Sequence, residues 1–177
     1  GSVTDPFKNA GKQFEKGLIV RQSVLGEAYA KQSLDAATGF TMDSQKLATA
    51  RDGKVTFVEF LDFECEACGA AFPYVEQLRA EYGDRVTFVM RYFPLPSHFN
   101  STNAAVAAEA AARQSQLEAM YQKLFESQSE WGEKQDSQAP LFRTYAEELG
   151  LDMGQYDADI ADPSTLERVK SDFDDGV

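Results

Sequence analysis

The sequence predicts an α/β fold: one strand–helix–strand unit in mid-chain, with helical segments on both sides. Three observations carry that expectation. Two short runs, "KVTFVEFL" (54–61) and "RVTFVMRYF" (85–93), are dense in the β-branched and aromatic residues of buried strands. Between them, "GAAFPYVEQLRAEYG" sets Phe72, Val75 and Leu78 at helical spacing. The connections are short, so the two strands should be parallel and joined by a right-handed crossover.

Taken in order, the chain opens with Asp5-Pro6, a capping side chain followed by proline at the first helical position. Phe7, Phe14, Leu18, Val24 and Leu25 then recur at roughly helical spacing. Gly26 punctuates, "EAYAKQSLDAAT" predicts a second short helix, and Thr41 is placed to cap a third through "MDSQKLATA". Residues 1–50 are therefore expected to form a helical appendage, and residues 51–177 a separate domain. The central helix should stop at Gly83 and be kinked by Pro73, which has no N–H to donate. From residue 101 to 176 the pattern is helical throughout. "STNAAVAAEAAARQ" starts with hydroxyl and amide caps, and "LEAMYQKLFES" carries Leu117, Met120, Tyr121, Leu124 and Phe125 at helical spacing. "APLFRTYAEELG" ends at Gly150, and Pro163 opens a last helix through "STLERVKSDFDDG".

Composition bounds the function. The 177 residues suit one domain with an appendage, and 43% apolar content with 13 Phe and 7 Tyr supports a real core. A formal net charge of −12 disfavours nucleic acid or an anionic membrane as the main partner. No apolar run approaches the roughly 18 residues of a membrane span. No signal peptide is visible, and Gly1-Ser2 reads as a cloning scar, so an upstream segment is expected to have been removed. Two cysteines are too few to staple a scaffold, so their role should be local.

Those two residues, Cys65 and Cys68, form a single Cys-x-x-Cys pair at the junction of the first strand and the helix. At the open N-terminus of a helix, unpaired N–H groups and the dipole stabilise a thiolate. Cys65 would then attack a partner disulfide, and Cys68, one turn on, would resolve the mixed disulfide. Glu59, six positions before Cys65, would be a buried carboxylate able to accept and return the proton of the resolving thiol. Two other uses of the pair stay open on the residues alone. It could be two inert buried thiols, or half of a metal site completed by a second chain, since one chain offers only one further soft ligand, His98. His98, after "FPLPS", reads as a loop residue; Trp131 reads as a packing anchor; acidic runs such as the "DDG" near the end read as solvated faces.

"VTFVEFLDFECEACGAAFPYVEQLR", the following "RYFPLP", and the block holding "EWGE" and "APLFRTYAEELGLD" resemble the DsbA-like thioredoxin family over residues 54–176. The resemblance implies a thioredoxin-like βαβ unit with a helical insertion block. By it, Cys65 matches the nucleophile, Cys68 the resolving cysteine, Glu59 the buried acid and Pro73 the kink proline. It also implies cysteine-containing protein substrates, no cofactor beyond the cysteines, and an extracytoplasmic setting. Two departures accompany it. The intervening dipeptide is Glu66-Ala67, and Asp62, Glu64 and Glu66 are expected to surround the pair with charge that disfavours a thiolate. The family's cis-proline half is expected to follow Val177, so the thioredoxin-like unit is incomplete and its activity is expected to be impaired. Residues 5–50 resemble instead the N-terminal helices of carboxymuconolactone decarboxylases, which makes the chain look like a join of two incomplete domains. Two parallel strands would leave both sheet edges open, which predicts a homo-oligomer, most simply a two-fold dimer. The leading reading is a thiol–disulfide oxidoreductase. The alternatives are a non-catalytic oligomeric assembly with a structural cysteine pair, and a peroxidase-type Cys-x-x-Cys enzyme of the decarboxylase superfamily.

Overall fold

The computed structural model describes residues 46–51 and 54–177, which belong to the compact unit Thr41–Val177. The helices anticipated over residues 5–45 lie outside the described residues. Strands β1 (Lys46–Ala48), β2 (Thr56–Leu61) and β3 (Thr87–Tyr92) form one sheet in the order β1-β3-β2. Helix α1 (Glu66–Tyr82) connects β2 to β3, and these two strands are parallel, in register from Thr56 opposite Thr87 to Leu61 opposite Tyr92. The expected βαβ unit is therefore present, with every residue of β3 buried.

The sequence reading of "MDSQKLATA" as a helix is corrected here. Lys46–Ala48 is a strand, antiparallel to β3, with Lys46 opposite Val89 and Ala48 opposite Phe88. β3 is buried, and an uncovered edge there would strand its N–H and C=O groups. Backbone pairing thus overrides the local helix preference of these residues. Among the described residues the sheet has three strands rather than two, and β1 closes the edge of β3 that β2 leaves open.

Helix α1 runs through Pro73 without a break and ends at Tyr82 with Gly83 as its C-cap. A Cβ at Gly83 would sit 2.6 Å from the Arg79 carbonyl oxygen, so the stop depends on close approach rather than on a left-handed conformation. Gly150 is the left-handed case, with φ +76°.

The helical block comprises α2 (Ser101–Ala112), α3 (Leu117–Glu126), α4 (Gln128–Trp131), α5 (Ala139–Glu148), α6 (Met153–Ala161) and α7 (Pro163–Gly176). Helix α2 is alanine-rich and buried along nearly its whole length, which lets α3, α5, α6 and α7 pack closely around it. Its hydroxyl and amide residues do not cap it: Asn100 is the N-cap without a side-chain cap bond, and Ser101 reaches Asp62 instead. Helix α6 falls within the stretch read as helical, though its bounds were not set from the sequence; Asp152 caps it by accepting the Gln155 N–H at 2.8 Å. Trp131 is the expected anchor, wholly buried, edge-on to Phe142 at 4.8 Å and donating to the Leu124 carbonyl at 3.2 Å.

Helix α7 closes one sheet face, and Asp174 and Asp175 of the terminal acidic run are exposed on it, as read from the sequence. Arg91 of β3 is wholly buried and donates to Asp172, also wholly buried, and to Asp175. Asp172 accepts the Tyr92 N–H as well, at 3.1 Å. A buried guanidinium requires such partners, and α7 supplies both, Asp172 from its buried face and Asp175 from the otherwise exposed run. On this face Phe60 meets Arg91 and Phe93, and Phe93 stacks on Phe173 at 4.7 Å. The other face carries Phe57 against Phe88 at 5.3 Å, and alternation along β2 puts Glu59 and Leu61 on that side. No helix among the described residues is long and apolar enough to cross a membrane.

Candidate active site

The chain leaves β2 at Leu61, makes a tight turn, and enters α1 with Cys65 as the N-cap residue, its backbone still extended at φ −69°, ψ 121°. The Cys65 N–H donates to the Asp62 carbonyl at 3.2 Å, and its own carbonyl accepts the Gly69 N–H at 3.0 Å, the first helical bond. One turn later Cys68 returns to the same side, close enough to Cys65 for the two thiols to act on each other. Both cysteines are free and half-buried. Cys68 packs against the core formed by Phe63, Tyr121, Phe125 and their neighbours. Burial pushes its thiol up to about 11, while the Asp62 backbone N–H, donated to its sulfur, pulls the other way.

Glu59 is half-buried on β2, close enough to Cys68 for its charge to act on that thiol. Burial raises its carboxyl to about 7, with the Glu76 charge as the second cause. The structure thus brings together the three residues singled out from the sequence: Cys65, Cys68 and Glu59.

It places the flanking acids differently. Asp62 and Glu64 do not bathe the pair in unscreened charge; both are buried and occupied by donors. Asp62 accepts the Glu64 and Leu95 N–H groups at 2.9 and 3.0 Å and the Ser101 hydroxyl at 2.6 Å, with His98 Nδ1 at 2.6 Å. Glu64 accepts the Asn100 N–H at 2.6 Å and the Glu133 N–H at 3.0 Å. These carboxylates tie the loops after β3 and after α4 to the cysteine turn. Only Glu66 is exposed.

Two residues of the site were not found from the sequence. Gln128 of α4 donates its amide to the Phe63 carbonyl at 2.7 Å and the Cys65 carbonyl at 3.0 Å, clamping the turn from the helical block. Gly69 makes room for it: a Cβ there would lie 2.2 Å from Gln128 Oε1. A glycine inside a helix, directly after Cys68, was the available signal. His98 is in a loop as read, but its contact with Asp62 spans 36 positions and left no local trace. Among the described residues no group of three or more His, Cys, Asp or Glu is arranged to hold a metal ion.

A thioredoxin family model matches residues 47–175. Among curated proteins, the "Na(+)/H(+) antiporter NhaA 1" of Mycobacterium sp. (strain KMS) is 36% identical over 129 residues, which are 70% of this chain and 20% of that protein. The chain thus spans about a fifth of the length of the curated relatives it matches. Among solved structures, a thioredoxin-like oxidoreductase from Silicibacter pomeroyi superposes with a TM-score of 0.63 at 26% identity, over 79% of this chain and 75% of that one. The thiol-disulfide exchange protein alpha-DsbA2 from Wolbachia pipientis superposes with a TM-score of 0.68 at 20% identity, over 87% and 78% of the two chains. The likeness of residues 5–50 to carboxymuconolactone decarboxylases receives no support from these matches.

Proposed function

Because the chain belongs to the thioredoxin family, with a DsbA-like fold, we propose that it is a thiol–disulfide oxidoreductase acting on cysteine-containing proteins. The observation that carries the reading is the pair itself: Cys65 at the open start of α1, with Cys68 one turn on and close enough to act on it. Cys65, as thiolate, attacks one sulfur of a substrate disulfide; the substrate S–S bond breaks and its second sulfur leaves as a thiolate. The Cys68 thiol passes its proton to ionised Glu59 and attacks the Cys65 sulfur. That step releases the remaining substrate sulfur and leaves Cys65 and Cys68 joined, two electrons having passed to the substrate. Run backwards, the same steps oxidise a substrate dithiol, with protonated Glu59 returning the proton to Cys68. A carboxyl raised to about 7 has both forms available at neutral pH.

An extracytoplasmic compartment suits this chemistry, since protein disulfides persist there. A two-fold homo-oligomer is part of the same proposal, with β2, at the end of the described sheet, as a strand for a second copy to pair with. Light scattering at micromolar concentration tests it, and a monomer there removes it. The antiporter name belongs to relatives of which the matched segment is a fifth, so transport is not carried over to this chain.

The enzymatic reading is tested by dithiothreitol-driven reduction of a quenched fluorescent disulfide peptide. Catalysed turnover should fall to the uncatalysed background in Cys65→Ser. A Cys65→Ser protein as fast as the wild type would end the proposal.

A further inference from the structure

A substrate disulfide has to reach the Cys65 sulfur, so the exposed groups beside that residue act on the approaching chain. Four acids lie in or against the cysteine turn: Asp62, Glu64, Glu66 and Glu133. Asp62 and Glu64 are buried and occupied by donors from the neighbouring loops. The other two face solvent. Glu66 is exposed, follows Cys65 directly in the chain, and is the acid of the first turn of α1. Glu133 is exposed on the loop after α4, and that loop is fixed beside the turn.

The fixing is by main-chain contacts. The Glu133 N–H reaches Oε1 of Glu64, the residue before Cys65, at 3.0 Å. The buried Asn100 amide donates to the Lys134 and Asp136 carbonyls, each at 3.1 Å. Glu133 itself holds a left-handed conformation, φ +62°, which a glycine would adopt more readily. Lys134 and Asp136 are exposed with opposite charges and offset one another. The chain as a whole carries −12, so its long-range field has the sign of Glu66 and Glu133.

We propose, resting on the redox reading above, that Glu66 is a specificity-determining residue: among cysteine-containing polypeptides it selects those with basic side chains flanking the disulfide, and Glu133 reinforces it. The chemical step is unaltered. The Cys65 thiolate bonds to one substrate sulfur, the substrate S–S bond breaks, and the second sulfur leaves as a thiolate. A lysine or arginine beside that disulfide meets opposite charge at Glu66, and an aspartate or glutamate meets like charge. The competing account gives Glu66 only a helix-stabilising role, as an acid at the positive end of the α1 dipole. That role depends on the helix and is blind to the charge of the substrate.

The test uses three disulfide peptides, identical except for Lys, Gln or Glu on either side of the cysteine. Each is mixed with the reduced protein at neutral pH and low ionic strength, quenched in acid, and followed as the rate of thiol–disulfide exchange. Two unit charges about 7 Å apart in water change a rate by about threefold, so replacing Lys by Glu changes the share of Glu66 by about five- to tenfold. The wild type should prefer Lys to Gln and Gln to Glu. Glu66→Gln should shrink the Lys-to-Glu rate ratio by about five- to tenfold, and Glu66→Lys should shrink it further. At about 1 M salt the wild-type ratio should fall towards that of Glu66→Gln, because screening then acts within about 3 Å. A ratio cancels any change in the reactivity of Cys65 itself. A Lys-to-Glu ratio unmoved in both variants overturns the proposal and leaves Glu66 its helix-stabilising role. Equal exchange of all three peptides by the wild type overturns the proposal alone, whereas no exchange with any of them removes the redox reading and the proposal with it.

Discussion

Replacing Glu59 with Gln should free the protein's stability from much of its dependence on pH between about 4.5 and 8. In the unfolded chain this carboxyl ionises at its ordinary value of 4.5; in the fold, burial and the Glu76 charge raise it to about 7. Between those values the unfolded chain releases the proton and the folded protein keeps it. Rising pH therefore favours unfolding: the stabilisation is complete below 4.5 and is lost as the pH passes through about 7. At about 1.4 kcal/mol per pH unit, the whole displacement amounts to about 3 kcal/mol, an upper value because Glu59 keeps some exposure. Gln cannot ionise, so its advantage over Glu should grow by about 2–3 kcal/mol from pH 4.5 to pH 8. Urea unfolding of both reduced proteins across that range measures the difference, and effects of the overall charge of −12 cancel in it. A difference that stays flat with pH would refute the reasoning, because it would mean that Glu59 ionises alike in both states.

Three other outcomes follow from the geometry. Gly69→Ala should displace the Gln128 amide from its two carbonyl partners and cost about 1 kcal/mol net, whereas in a Gln128→Ala background the same change should stabilise by about 0.5–1 kcal/mol. Equal effects in the two backgrounds, read by urea unfolding, would contradict the clamp. Asp172→Asn should cost about 3 kcal/mol or more, since it leaves the wholly buried Arg91 short of charge; a thermal-melt loss below about 1 kcal/mol would show the pair to be dispensable. Iodoacetamide at pH 8 should modify Cys65 before Cys68, whose thiol is held up at about 11 and stays protonated; peptide mapping that finds Cys68 alkylated first would reverse the assignment of roles.

What the sequence disclosed was whatever is encoded locally. β2, β3 and α1 were readable because each carries its own composition and period, and the cysteine pair because its meaning depends on the junction it occupies. The burial of Glu59 was readable for the same reason, from a carboxylate set inside a strand of aromatic and β-branched residues. β1 was hidden because Lys46–Ala48 are unremarkable helix formers, and their partner Val89 lies in a strand far along the chain. Asp62 and Glu64 were misread because charge counted along the chain cannot see the loops that fold back to donate to them, from Leu95 to Asn100 and at Glu133. The contact that the exposed Asp175 makes with Arg91, 84 positions earlier, was hidden for the same reason. In each miss, a polar residue judged by its neighbours in sequence was answering to a buried group distant in sequence.

The central claim is that Cys65 attacks and Cys68 resolves. The direct measurement is to mix Cys68→Ala and, separately, Cys65→Ala with a disulfide-containing peptide, quench in acid and weigh the products by intact mass. The account predicts that Cys68→Ala accumulates a one-to-one mixed disulfide at Cys65, because the thiol that would release the peptide is gone, while Cys65→Ala stays largely unmodified over the same interval. Adduct forming as fast on Cys68 in the Cys65→Ala protein, or no adduct in either, would contradict it.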